Sequence, residues 1–121
     1  KNGKKVFDYI SDFSLYEEVE VKGKKFVLVH AGICNFDECK SMEDYVLDEL
    51  IFDRADYSKM YFKDKYLVTG HTPTRLIRKK LEENQLDLIY IKNNHIAIDC
   101  GCGHGGLLGA IRLDDFEDFY A

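Results

Sequence analysis

The sequence has little of what marks membrane, secreted or nucleic-acid-binding chains. Its apolar stretches are short and broken by charges, so none approaches the roughly 20 residues needed to cross a bilayer. Basic residues are the minority: 17 Lys and Arg against 22 Asp and Glu leave a formal net charge of -5. This argues against a general nucleic-acid or anionic-membrane surface, which needs clustered cations, and leaves open a local anion site. No signal-peptide pattern opens the chain. The four cysteines, Cys34, Cys39, Cys100 and Cys102, are expected to be reduced, because a chain with 45% hydrophobic residues does not need disulfide staples. The reading is a cytoplasmic protein. The sequence opens at Lys1 rather than Met and runs directly into Val6, Phe7 and Ile10 at helical spacing, so it is expected to be cut from a longer protein.

What is present is enough for one core. A length of 121 residues fits a single domain or one piece of a larger one. Residues 4–12 read as a weak helix; 16–21 and 25–30 read as a hairpin turning at Lys22-Gly23, whose second strand, Phe26-Val27-Leu28-Val29, is apolar on both faces. A helix is expected from Ser41, as N-cap, to Phe52, with Glu43 and Asp44 in its first turn. Tyr66 to Thr69 forms another short buried strand, and residues 75–83 read as helix or irregular chain. Residues 88–92 and 95–99 read as a hairpin turning at Asn93-Asn94. Five of the nine glycines lie between Gly101 and Gly109, which predicts a tight loop feeding a last strand over 107–113. The acidic aromatic tail, 114–121, carries no recognisable chemistry.

Two of these buried strands run into a histidine: His30 follows the first and His71 the second. Ligands gather at the C-terminal ends of strands in open α/β sheets, and Gly32 and Gly70 allow close backbone approach there. Neutral imidazole binds zinc, iron and manganese, so the pair reads as half of a metal site. The plain alternative is two hydrogen-bonded structural histidines. Cys100, Cys102 and His104 form a weaker candidate for a soft metal, short of the usual fourth ligand.

The strings FVLVHAGI at 26–33, LVTGHTPT at 67–74 and IAIDCGCGHGGLLGAIRLD at 96–114, in this order, resemble the later motifs of the calcineurin-like metallophosphoesterases, in particular the bacterial serine/threonine protein phosphatases. IFDRADYSKMYFKDKYLVTGHTPT at 51–74 is similar to the segment in which an arginine precedes the Gly-His motif. The resemblance implies an α/β fold, the C-terminal half of a four-layer αββα sandwich with a mixed sheet and flanking helices, residues 1–121 being the later part of one metallophosphoesterase domain. It implies that His30 and His71 bind one of two divalent ions (manganese, iron or zinc) and that Arg54 grips the substrate phosphate. That last role suits the planar guanidinium fork; the plain alternative is a surface ion pair with Asp53 or Asp56.

The family's earlier motifs, Gly-Asp-x-His-Gly, Gly-Asp-x-x-Asp-Arg-Gly and Gly-Asn-His-Glu, supply the carboxylates, and this sequence contains no Gly-Asp pair. Asn94-His95 is read as turn chemistry, and Asp99 as a partner for the turn after its strand. The chain alone is therefore expected to bind at most one metal ion weakly, to be inactive as a phosphatase, and to self-associate through an uncovered apolar face unless its missing N-terminal half is present. The expected substrate is a phosphorylated protein or small phosphoester, with diadenosine tetraphosphate as the same-class alternative. A non-catalytic binding module is the rival from another class.

Overall fold

The runs of Val, Leu and Ile that read as doubly buried strands become the middle of a sheet. In a computed structural model, which describes residues 2–121, ten elements follow one another: α1 (Asn2–Ser11), β1 (Tyr16–Val21), β2 (Lys24–Val29), α2 (Leu47–Ile51), β3 (Tyr66–Thr69), α3 (Thr74–Lys80), β4 (Tyr90–Lys92), β5 (His95–Ala97), β6 (Gly109–Ile111) and β7 (Asp118–Tyr120). Lys1, on which the reading of the chain start rests, lies outside the described residues. Five strands form one sheet in the order β1-β2-β3-β5-β4. The three central strands are parallel, with Val27 opposite Leu67 and Leu67 opposite His95. The two edge strands are antiparallel. The fold is thus α/β with a mixed sheet and few, short helices.

Pleating sorts the strand residues to two faces. Val27, Val29 and Leu67 pack with Ile33, Met42, Tyr45 and Leu50, and further along Ala97 packs with Ala55, Tyr57 and Ile77. Phe26, Val68 and Ile96 point the other way, with Ile89, Cys100, Ile111, Phe116 and Tyr120. Edge strand β1 carries exposed Glu17, Glu18 and Glu20, charges that discourage pairing with another chain. The tail read as featureless has a structural role: β7 pairs with β6, and the Tyr120 hydroxyl accepts a hydrogen bond from Ile89 N at 3.1 Å.

Three expectations need correction. The single helix over 41–52 is broken into a 3-10 turn at Met42–Asp44 and the short α2. Tyr45 takes extended backbone angles, φ -83 and ψ 137, because its ring is buried and its hydroxyl is engaged by Asp37 N at 3.0 Å; Val46 is extended too. Ser41 makes no side-chain cap; instead Val46 N donates to the Glu49 carboxylate at 2.9 Å to start α2. The strand expected over 107–113 is only three residues long, β6, and is followed by β7, since Leu107 and Leu108 still belong to the glycine-rich loop. Finally, only the Asn93-Asn94 part of the turn reading holds. Both asparagines have positive φ, whereas His95 is fully buried inside β5.

Helix α1 packs none of its residues into the core, and Val6, Phe7, Tyr9 and Ile10 are more than half exposed. Behind it an open apolar groove is lined by Ile10, Phe13, Leu15, Leu28, Val68 and Ile98. No helix among the described residues is long and apolar enough to cross a membrane.

Candidate metal and phosphate site

The parallel pairing of β2 with β3 puts Val29 beside Thr69, so the residues just after each strand emerge together. Gly70 N donates to His30 O at 2.9 Å, tying the two exits. His71 then turns into the left-handed region at φ 63, a conformation uncommon outside glycine, and Thr72 N closes back on Gly70 O at 2.6 Å. The outcome is that His30 Nε2 and His71 Nδ1 lie 3.1 Å apart with both rings exposed.

That separation can be read in two ways. Without a cation, one nitrogen donates a hydrogen bond to the other. With metal–nitrogen bonds of about 2.0–2.1 Å, two adjacent ligands in octahedral to tetrahedral geometry have nitrogens about 2.9–3.4 Å apart. The pair therefore fits two neighbouring positions on one divalent ion. Among the described residues no cluster of three or more His, Cys, Asp or Glu could hold a metal, so an ion bound here would draw its remaining ligands from outside that set.

Arg54 is brought to the same edge by backbone contacts. Ala31 N donates to Leu50 O at 3.1 Å and Cys34 N to Glu49 O at 2.8 Å, which fixes the end of α2 beside the His30 exit. Gly32 then lets the following loop come close: a Cβ there would stand 2.6 Å from Ala55 N and 2.9 Å from Asp53 O. The Asp53 carboxylate facing the Cys34 thiol raises the thiol pKa above its usual value. Arg54 itself is exposed and joins no ion pair among the described residues. The alternative pairing with Asp53 or Asp56 is not formed. Asp56 instead accepts from Ser58 N and Oγ and pairs with Lys59, contacts that lower its pKa.

Arg54 lines a cavity of about 330 Å³ together with Thr72, the residue after His71, and with Leu76, Lys80 and Leu81 of α3 and its C-terminal end. Sequence reasoning missed this cavity and its Thr72. The threonine lies inside the LVTGHTPT string, but its importance rests on burial that no spacing reports. Tyr57, on the same wall, has its phenol pKa raised by burial, against its 2.8 Å hydrogen bond with the Thr69 hydroxyl.

The cysteine candidate does not assemble. Cys100 is buried, whereas Cys102 and His104 are exposed, and Gly109 approaches so closely that a Cβ there would lie 2.7 Å from Cys100 Sγ. Cys100 is a small core residue, and burial raises its thiol pKa, which disfavours the thiolate a metal requires. Asp99 behaves as read, accepting from Gly101 N at 2.9 Å.

The described residues thus hold an α/β sheet with two histidines just past adjacent strand ends and an exposed arginine in the loop after α2. The chain is similar to an asymmetrical bis(5'-nucleosyl)-tetraphosphatase, PrpE, of Halalkalibacterium halodurans, with 32% identity over 105 residues that cover 77% of this chain. The chain spans 38% of that relative's length. The likeness supports the metallophosphoesterase class and does not single out the serine/threonine protein phosphatases. No family model matches the chain, and no solved structure does.

Proposed function

We propose that this chain is the histidine- and arginine-bearing part of a metal-dependent phosphoesterase, the later portion of a single four-layer domain. The observation that carries the proposal is the 3.1 Å approach of His30 Nε2 to His71 Nδ1 at the exits of two parallel strands. His30 and His71 would hold one manganese, iron or zinc ion, within a site that in the complete protein holds two. Such ions, when bound, supply Lewis-acid chemistry at phosphoryl oxygens. Arg54 would orient the phosphate through two parallel hydrogen bonds; its lack of a carboxylate partner leaves the guanidinium available for this. The two imidazoles are neutral ligands and cannot by themselves hold two cations close together, so the chain alone would be inactive.

For the substrate, the motif strings favour phosphoserine or phosphothreonine in proteins, while the PrpE likeness favours the alternative, a dinucleoside tetraphosphate. We adopt the second, because its supporting alignment runs over most of the chain. The test is rescue. The purified chain is mixed, with manganese, with a separate polypeptide carrying the Asp, His and Asn motifs of the family. Hydrolysis of p-nitrophenyl phosphate and diadenosine tetraphosphate is expected only from the mixture, and His71→Ala should prevent it. Metal-dependent turnover by the chain alone, absent from a His30→Ala control, would overturn the half-site account.

A further inference from the structure

We infer that Tyr57 is a positioning residue: its hydroxyl, hydrogen-bonded to Thr69, sets where Arg54 stands relative to His30 and His71. The inference rests on the phosphoesterase reading and deepens it, because it says what aims the arginine at the phosphate.

Arg54 lies in a stretch, 52–65, that forms no helix or strand. Arg54, Ala55 and Tyr57 make no backbone–backbone hydrogen bond among the described residues, so side chains must hold this part of the loop. Arg54 is exposed, whereas Ala55 and Tyr57 are buried and pack with Ile77, Tyr90 and Ala97. Apolar packing sets the depth of the loop but is non-directional. Direction comes from two hydrogen bonds to Tyr57. Its hydroxyl lies 2.8 Å from Thr69 Oγ1, and its carbonyl accepts from Asn93 Nδ2 at 3.1 Å.

Thr69 is the informative partner. It is the last residue of β3, is fully buried, and pairs in register with Val29 on one side and Ala97 on the other. Val29 directly precedes His30, and Thr69 stands two residues before His71. One buried bond thus ties the arginine loop to the pair of strands that deliver both histidines. Burial raises the Tyr57 phenol pKa above its usual value, against the Thr69 bond and the charge of Arg54. The phenol therefore stays a neutral hydroxyl near pH 7, and the guanidinium is near enough to act on it. Two parallel hydrogen bonds to phosphate demand such aiming, since a displacement of about 1 Å can cost about a hundredfold in rate.

The experiment is a double-mutant cycle on the complete protein with manganese. It measures inorganic phosphate binding by calorimetry, kcat/KM for p-nitrophenyl phosphate, metal content and melting temperature. Tyr57→Phe and Thr69→Val should each weaken phosphate binding about three- to tenfold and lower kcat/KM by a similar factor, with metal content unchanged. The two changes remove the same bond, so the pair should be no worse than either alone. Because neither hydroxyl is then left unpaired, the pair should melt close to the parent while phosphate binding stays weak. With Arg54→Ala already present, Tyr57→Phe should change phosphate binding by less than about twofold. An undiminished effect in that background would show that Tyr57 does not act through Arg54, and recovery of parent phosphate binding in the pair would make the bond structural only; either result overturns the inference. Parent-like phosphate binding by Tyr57→Phe beside an impaired Arg54→Ala sinks the inference alone. Arg54→Ala without effect on phosphate binding or turnover sinks the phosphoesterase role of Arg54, and the inference with it.

Discussion

His30 and His71 stand just past the C-terminal ends of β2 and β3, while His95 is the first residue of β5, at the opposite edge of the same parallel core. The first two are exposed and touch each other. His95 is completely buried, its ring flanked by Tyr57 and Tyr61 with centroids 5.0 and 5.1 Å away. Its Nε2 donates to Lys59 O at 2.7 Å, and its Nδ1 is buried without a partner. The same side chain is therefore available as a ligand at one edge and is a packing element at the other, and strand direction decides which. The comparison makes a prediction of opposite signs: substitutions at His95 should cost stability without touching metal binding, and those at the exposed pair the reverse.

The largest expected effect is at His95. His95→Ala removes a fully buried ring and the hydrogen bond to Lys59 O, and by comparison with other large-to-small core changes it should destabilise by about 2–4 kcal/mol in denaturant melts. A loss below about 1 kcal/mol would mean that His95 is not the core residue described here. Next is Gly32→Ala. The added methyl meets backbone at 2.6 and 2.9 Å, so the 53–55 loop must move, with an expected cost of about 1–3 kcal/mol and a displaced Arg54. Unchanged stability would show that this approach is looser than the contacts imply.

The sheet was legible because its evidence is local: Phe26 to Val29 and Tyr66 to Val68 are apolar without interruption, and Asn93-Asn94 has the residues a positive-φ turn demands. The position of His30 and His71 just past two strands was legible for the same reason, with Gly32 and Gly70 close by in the sequence. Helix 41–52 misled because its periodicity is real, yet Tyr45 gains more from burying its ring and bonding Asp37 than from continuing the helix. His95 and Thr72 were not legible as what they are. Burial of the first depends on the 57–61 loop, whose Lys59 carbonyl lies 36 residues upstream, and the second is buried at a wall it shares with the 54–58 loop and α3. No short window of sequence contains either fact.

The third prediction is a pH dependence. Burial lowers the His95 pKa below the ordinary imidazole value, opposed by the Lys59 carbonyl and the Asp56 charge. The folded state thus binds its proton less readily than the unfolded chain, whose imidazole titrates near ~6.5. Between those two values the unfolded state holds more protons, so stability falls as pH is lowered below ~6.5, by no more than about 1.4 kcal/mol per pH unit from this one group. Above ~6.5 both forms are neutral and His95 contributes no slope. Urea melts from pH 7.5 to 5.0 on the parent and on His95→Phe should show the acid loss in the parent and a flatter profile in the variant. Equal slopes would assign the acid sensitivity to other groups.

The smallest expected change in stability, and the sharpest test of the comparison, is at the other edge. His71 is exposed, its backbone is in the left-handed region at φ 63, and the side-chain hydrogen bond found for it is to His30. Alanine in the same left-handed conformation carries a similar backbone cost, and the lost contact is solvent-exposed. Both His71→Ala and His30→Ala should therefore unfold within about 0.5 kcal/mol of the parent. Weak zinc or manganese binding, measured by calorimetry on the chain, should disappear in each, because one imidazole at an exposed position leaves almost the whole coordination sphere to water. Cys102→Ser should leave that binding unchanged. If metal binding instead survives both histidine changes and is lost with Cys102→Ser, the thiol candidate is restored despite the burial of Cys100. If either histidine variant loses several kcal/mol of stability, the pair is a structural device like His95, and the contrast between the two edges of the sheet fails.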